Sequence, residues 1–310
     1  MRPPVSFSDL GFTPRQTRFV TLVALHSGYC LRRQYAAFAG VECGQNVRDF
    51  FDRLVALHLA RQMTFRRDRG HIYHLFARSL YAALERQDNR NRRQASPAVI
   101  ARKLMLLDFV LTQPDRDWYV SEAAKVHLLT DTLRVPAHPL KVPIFVTHDP
   151  LRVHLVCLVT DPAARDIALF VRGHHTLLTH LPAHTLVIVR PGHISTEEQC
   201  RAAHAFAMKA VLAPARRFDR ATLRWYLDAR RRIDQGQLRT LSVPDINRYR
   251  VCGRQAAGTL DGLYGRWAEL GYPSIESLDL RIDMPSDANG ILVVTLPHRY
   301  EQFGSLPGIA

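Results

Sequence analysis

Nowhere does the chain carry a run of about eighteen apolar residues, so no membrane span is expected. The opening Met1-Arg2-Pro3-Pro4-Val5-Ser6 lacks the apolar core of a signal peptide, and a cytoplasmic protein without a membrane partner is expected. Cysteine is scarce. Cys30, Cys43, Cys157, Cys200 and Cys252 are odd in number and contain no Cys-x-x-Cys pair. That argues for a reducing compartment and against a disulfide framework or a structural zinc site. Lysine is rare beside abundant arginine and alanine, the composition of a GC-rich bacterial gene.

The signatures of catalysis are missing too. There is no Gly-x-x-x-x-Gly-Lys-Ser/Thr, no Gly-x-Gly-x-x-Gly after a strand and no Gly-x-Ser-x-Gly. A metal-dependent nuclease needs clustered carboxylates. Asp161 and Asp166 follow an expected strand at 153–160, but Ala168-Leu169-Phe170-Val171 is apolar and ends at Arg172, without the acidic-then-lysine pattern. His174, His175, His180 and His184 invite a metal reading. Pro182 breaks the helix that would bring His180 and His184 onto one face, and no cysteine or carboxylate stands nearby. No catalytic residue, metal site or cofactor is assigned. An enzyme is the less favoured reading, with a DNA nuclease or strand-processing enzyme as the alternative.

What is present is positive charge, concentrated at one end. The formal net charge is +14, and residues 1–103 hold 18 Lys and Arg against 7 Asp and Glu. Residues 104–310 hold 24 against 21. A field this local favours a polyanion, with affinity that falls steeply with salt.

Within that basic third, residues 44–58 place Val47, Phe50, Phe51, Leu54, Leu57 and His58 on one stripe at the helical period, which predicts a buried face. The opposite face offers Gln45, Asn46, Arg48, Asp49, Asp52 and Arg53. Gln, Asn and Arg can each make paired hydrogen bonds to a base edge in the major groove. Leu31 to Ala39 reads as a shorter helix and Gly40-Val41-Glu42-Cys43 as a tight connection between the two. An earlier helix starts at Pro14 behind the Thr13 cap, turns Phe19, Leu22, Val23 and His26 to the core, and ends at Gly28. After the central helix, residues 61–65 and 72–76 read as two strands. Between them lies Arg66-Arg67-Asp68-Arg69-Gly70-His71, a cationic glycine turn suited to a phosphate backbone or a minor groove.

The expected fold class is α+β or α/β: a winged helix-turn-helix over residues 11–86, a linker at 87–97 and a small α/β domain over 98–310 with helical additions. The candidate DNA-binding residues are Gln45, Asn46, Arg48, Asp49 and Arg53 on the helix, with Arg66, Arg67, Arg69 and His71 on the wing. Residues 79–86 read as a fourth short helix. Beyond the polar stretch 87–97, closed by Pro97, helices are expected at 98–111 and 120–129. Prolines at 136, 139, 143 and 150 allow only extended or irregular chain between them. Residues 153–160 and 185–189 read as buried strands, 167–181 as strand continuing into helix, and 196–213 as a helix, together a parallel βαβ arrangement. An arginine-dense helix spans 216–234, where a solvated basic face, a second phosphate contact and an oligomer surface all stay open. A further helix covers 253–270, and 278–283 with 290–296 read as a β-hairpin.

Thr13-Pro14-Arg15-Gln16, the run Leu54-Val55-Ala56-Leu57-His58-Leu59-Ala60-Arg61 and Ile72-Tyr73-His74-Leu75 resemble bacterial winged-helix proteins. The arrangement is similar to the replication-relaxation type encoded on plasmids and other mobile elements, in which a winged helix precedes an α/β domain. That resemblance covers residues 11–86; beyond them only the order of elements is alike. It implies a sequence-specific protein for double-stranded DNA, a transcriptional regulator or a replication and maintenance accessory factor, associated with the nucleoid. A homodimer is expected, with dimerisation or a protein partner served by the C-terminal domain. Members of the type carry a nuclease-like C-terminal domain whose acidic and lysine pattern this chain lacks.

Overall fold

Thr13 sets the first helix. Its hydroxyl accepts the Gln16 amide at 3.2 Å while the Gln16 side chain accepts the Thr13 amide at 2.9 Å, with Pro14 at the first helical position. The computed structural model describes residues 10–64, 71–133, 135, 140, 142–147, 152–181, 183–212, 220–271, 289–300 and 302–303. Among the described residues it is a mixed α and β structure with a three-stranded and a five-stranded sheet. The first helix, α1 (Pro14–His26), buries Phe19, Val20, Leu22, Val23 and Ala24. It gives way at Gly28 (φ +75°) to a strand absent from the sequence reading, β1 (Tyr29–Leu31). A side chain at Gly28 would meet the Asn91 carbonyl oxygen at 2.3 Å, so glycine is needed for space as well as for its left-handed backbone.

Helix α2 (Arg32–Ala39) ends at Gly40, whose φ of +65° turns the chain toward α3 (Gln45–Ala56). Strands β2 (Ala60–Thr64) and β3 (His71–Leu75) pair antiparallel, and β1 pairs with β3 to give the order β1-β3-β2. An aromatic cluster fills the space beneath: Phe19, Tyr35, Phe50 and Phe51 meet edge-on or tilted at 4.3–6.4 Å, and Phe51 reaches Tyr73 at 4.3 Å. Helix α4 (Arg78–Ala83) follows. The stretch expected as a linker is pinned to this unit. Asn91 donates to the carbonyls of Ala24 and Leu25, both at 3.0 Å, and its own carbonyl accepts from His74 at 3.1 Å.

Helix α5 (Pro97–Leu111) then lies between the two sheets. Its Leu107 joins the aromatic cluster. Ile100, Leu104 and Phe109 belong to a second cluster with Tyr29 and Ile72 from the first sheet and Phe145, Val156 and Val187 from the other. Polar ties reinforce the seam: Arg33 makes a bidentate pair with Asp108 at 2.7 and 2.8 Å, and Gln34 donates to the Leu104 carbonyl at 2.9 Å.

The second sheet has the order β4-β5-β6-β7-β8. Strands β4 (Asp117–Tyr119), β5 (Ile144–Val146) and β6 (Arg152–Leu158) pair antiparallel, whereas β6, β7 (Ala183–Pro191) and β8 (Asn289–Leu296) run parallel. Between β4 and β5 lies α6 (Glu122–His127), and the βαβ crossover carries two helices, α7 (Arg165–Gly173) and α8 (His175–His180). The strand expected from 167 onward is thus corrected. Ile167 and Val171 are buried one turn apart while Leu169 is exposed, a helical spacing that a dense apolar run obscures. Helix α9 (Glu197–Leu212) packs beside α7.

The C-terminal hairpin is corrected in part. Strand β8 takes its pairing from β7 in parallel, and residues 278–283 lie outside the described residues. Helices α10 (Arg220–Asp234) and α11 (Val243–Leu270), the latter starting ten residues before the expected 253, pack around Leu223, Leu227, Cys252, Leu260, Leu263 and Trp267. No helix among the described residues is long and apolar enough to cross a membrane.

Candidate nucleic-acid interface

Helix α3 is held by four buried side chains, Val47, Phe50, Phe51 and Leu54. The expected stripe is shorter than its pattern. Leu57 caps the helix and is 38% exposed, and His58 sits at φ +53° outside it, also exposed. A helix that stops at Ala56 cannot carry the stripe another turn. His26, on α1, stands edge-on to Trp118 at 5.1 Å. Burial lowers its pKa to about 4, so it is neutral at pH 7.

The polar side of α3 is exposed at Gln45, Asn46, Arg48, Asp49, Asp52 and Arg53. These side chains are not equivalent. Gln45 donates to Asp49 one turn on at 2.7 Å, so its amide is satisfied within the helix. Arg53 donates to the carbonyls of Leu10 and Gly11 and lies over the Phe12 ring at 5.3 Å. It staples the start of the described chain to α3. Asp52 faces Arg32 at 3.3 Å. The side chains of Asn46 and Arg48 make no hydrogen bond or ion pair among the described residues and stand in the first turn, beside Gly44. An amide and a guanidinium there can meet base edges without first breaking a protein bond.

On the hairpin, His71 is half-buried and its Nδ1 is shared between the Gln62 amide at 3.1 Å and the Thr64 hydroxyl at 3.3 Å. Arg66, Arg67 and Arg69 lie outside the described residues. Two cations that the sequence reading passed over flank the same unit. Arg15 donates to the Ala39 carbonyl at 3.0 Å, next to the α2–α3 turn, and Arg61 lies over the Phe76 ring at 4.7 Å. Arg61 is exposed on β2 directly after buried Ala60.

The carboxylates weighed as metal ligands have other duties. Asp166 accepts the Thr160 amide at 2.7 Å, the Thr160 hydroxyl at 3.0 Å and the Asp161 amide at 3.0 Å, and faces Arg102 at 3.3 Å. Asp161 accepts the Ala163 amide at 2.8 Å. Together they shape the turn from β6 into α7, which passes through Ala164 at φ +53°. His184 is 1% exposed, and burial lowers its pKa to about 4. Among the described residues no three His, Cys, Asp or Glu side chains gather as a metal site. Compared with family models, curated proteins and solved structures, the chain matches none.

Proposed function

We propose that this chain is a sequence-specific protein for double-stranded DNA, a transcriptional regulator or a replication and maintenance accessory factor, in which residues 11–86 act as a winged helix-turn-helix. In this reading α2 crosses the backbone, α3 lies in the major groove, and the β2–β3 hairpin lies along the neighbouring phosphates. An exposed polar face is common to surface helices and carries nothing by itself. What supports the assignment is a single coincidence: α3 presents unengaged Asn46 and Arg48 at its first turn, behind the left-handed Gly40, inside the third of the chain that holds 18 Lys and Arg against 7 Asp and Glu.

Asn46 and Arg48 are assigned the base contacts, Asn46 to adenine and Arg48 to guanine. Gln45 joins only by leaving Asp49, and Arg53 holds the helix in place. The C-terminal part serves a second copy or a protein partner. Selection of bound sites from a random duplex pool, using the full-length protein, tests this. The expected product is an inverted repeat with half-sites about one helical turn apart. A pool that yields no enriched motif, with no duplex retained at low salt, rejects the reading.

A further inference from the structure

Helices α10 and α11 differ from the rest of the C-terminal half. Residues 220–254 hold 9 Arg against 3 Asp, with no Lys or Glu. The remainder of 104–310 holds 15 Lys and Arg against 18 Asp and Glu, so the near-neutral half conceals a basic island inside an acidic surround. Helical spacing puts Arg224, Asp228, Arg231 and Arg232 on the side of α10 away from buried Leu223, Tyr226 and Leu227. Arg224, Arg231 and Arg232 are exposed, as are Arg239, Arg248 and Arg250.

The acids here have partners close by. Asp245 accepts from the Ser242 hydroxyl at 2.6 Å, and Asp234 stands 4.0 Å from Arg230. Aromatic faces stiffen the arginines: Arg248 stacks at 4.2 Å over Trp225, and Arg231 lies 5.8 Å from the centre of Trp267. Stacking fixes the plane of a guanidinium.

We propose that this basic face binds the phosphate backbone of duplex DNA, as a footprint separate from that of α3; the inference rests on the DNA-binding reading above. Arg224 and Arg231 lie two turns apart, about 10 Å, a length over which a duplex presents several phosphates. An anionic membrane fits less well. A helix that lies in a lipid surface needs an apolar face to insert, and that of α10 is closed by α11.

The test is the salt dependence of full-length protein binding to a random-sequence duplex. Wild type is compared with the triple variant Arg224→Gln, Arg231→Gln, Arg232→Gln and with the matching triple Arg→Lys variant. The Gln variant is expected to lower the slope of log affinity against log salt by about 2–3, and to bind about tenfold or more weakly near physiological salt. The Lys variant should restore both, and the selected motif should stay the same in all three. If the triple Gln variant fails to fold by circular dichroism, Arg232→Gln alone should lower the slope by about 1.

An unchanged slope in a folded variant overturns the proposal. So does loss of binding to phosphatidylserine vesicles with DNA binding intact. The two readings fail separately. Arg48→Ala flattening one position of the motif while the Gln variant leaves the slope alone would sink only the second footprint. Wild-type protein that binds no duplex at low salt would sink both.

Discussion

Helices α3 and α10 both show cations to solvent, yet they differ in what surrounds those cations and in the core beneath. The exposed face of α3 mixes two amides, two arginines and two aspartates, and its other side rests on an aromatic core that also takes in α1, α2, β3 and α5. The exposed face of α10 has Arg224, Arg231 and Arg232 against Asp228, over a small core shared with α11. Reading a base edge requires donors and acceptors held in fixed register. Gripping a phosphate requires only charge within reach. The larger packed core thus lies under the helix with the mixed face, and the denser positive charge on the other.

The largest effect that sharpens this contrast is a cavity. Phe51→Ala should cost about 3–5 kcal/mol and melt the unit around α3, while Leu227→Ala should cost about 2–4 kcal/mol and loosen chiefly the α10–α11 pair. Hydrogen exchange on the two variants checks it. If Leu227→Ala speeds exchange in α3 as much as in α10, the two regions are not separate.

Acid offers a second cut. His74, stacked on Tyr29 at 4.2 Å, is held neutral by burial with its pKa lowered to about 4, as is His184. Between about pH 6.5 and 4 the unfolded chain binds these protons and the folded one does not. Stability present above 6.5 is therefore lost as pH falls, at about 1.4 kcal/mol per unit for each histidine. Residues 220–271 contain no histidine, so acid should loosen the unit around α3 before α10 and α11. Equal losses of amide protection in both regions at pH 5 would contradict this.

Specificity comes next in size. Arg48→Ala should flatten one position of the selected site, worth about 1–3 kcal/mol of discrimination, with non-specific affinity nearly unchanged. Smallest of all is Arg53→Ala. It should leave the motif intact and lower stability by about 0.5–1 kcal/mol through the lost contact with Phe12. A motif altered by Arg53→Ala would put that side chain back in the groove.

Sequence made some elements plain for reasons that can be named. The Thr13 cap with Pro14, the Val47–Leu54 stripe, the β-forming residues of β3 and the apolar runs of β6 and β7 are local patterns, and each occurs where expected. Strand β1 was missed because its three residues are buried on both faces and show no alternation. The parallel pairing of β8 and the sharing of α5 between two sheets are decided by contacts far apart in sequence, which no local period records. At the interface, the pattern could say that Arg53 lies on the polar side of α3. It could not say that Leu10 and Gly11 would come within its reach.

The double allegiance of α5 also decides what can be cut out of this protein. The polar stretch before Pro97 looks like the natural place to part the chain, yet a piece ending there would expose the pockets that Leu104, Leu107 and Phe109 fill. It would also leave Arg33 without Asp108. The portable cassette is thus the first sheet with α5 attached, and an exchange between related genes that respects the core must cross over after Leu111. The visible hinge and the true seam are an entire helix apart.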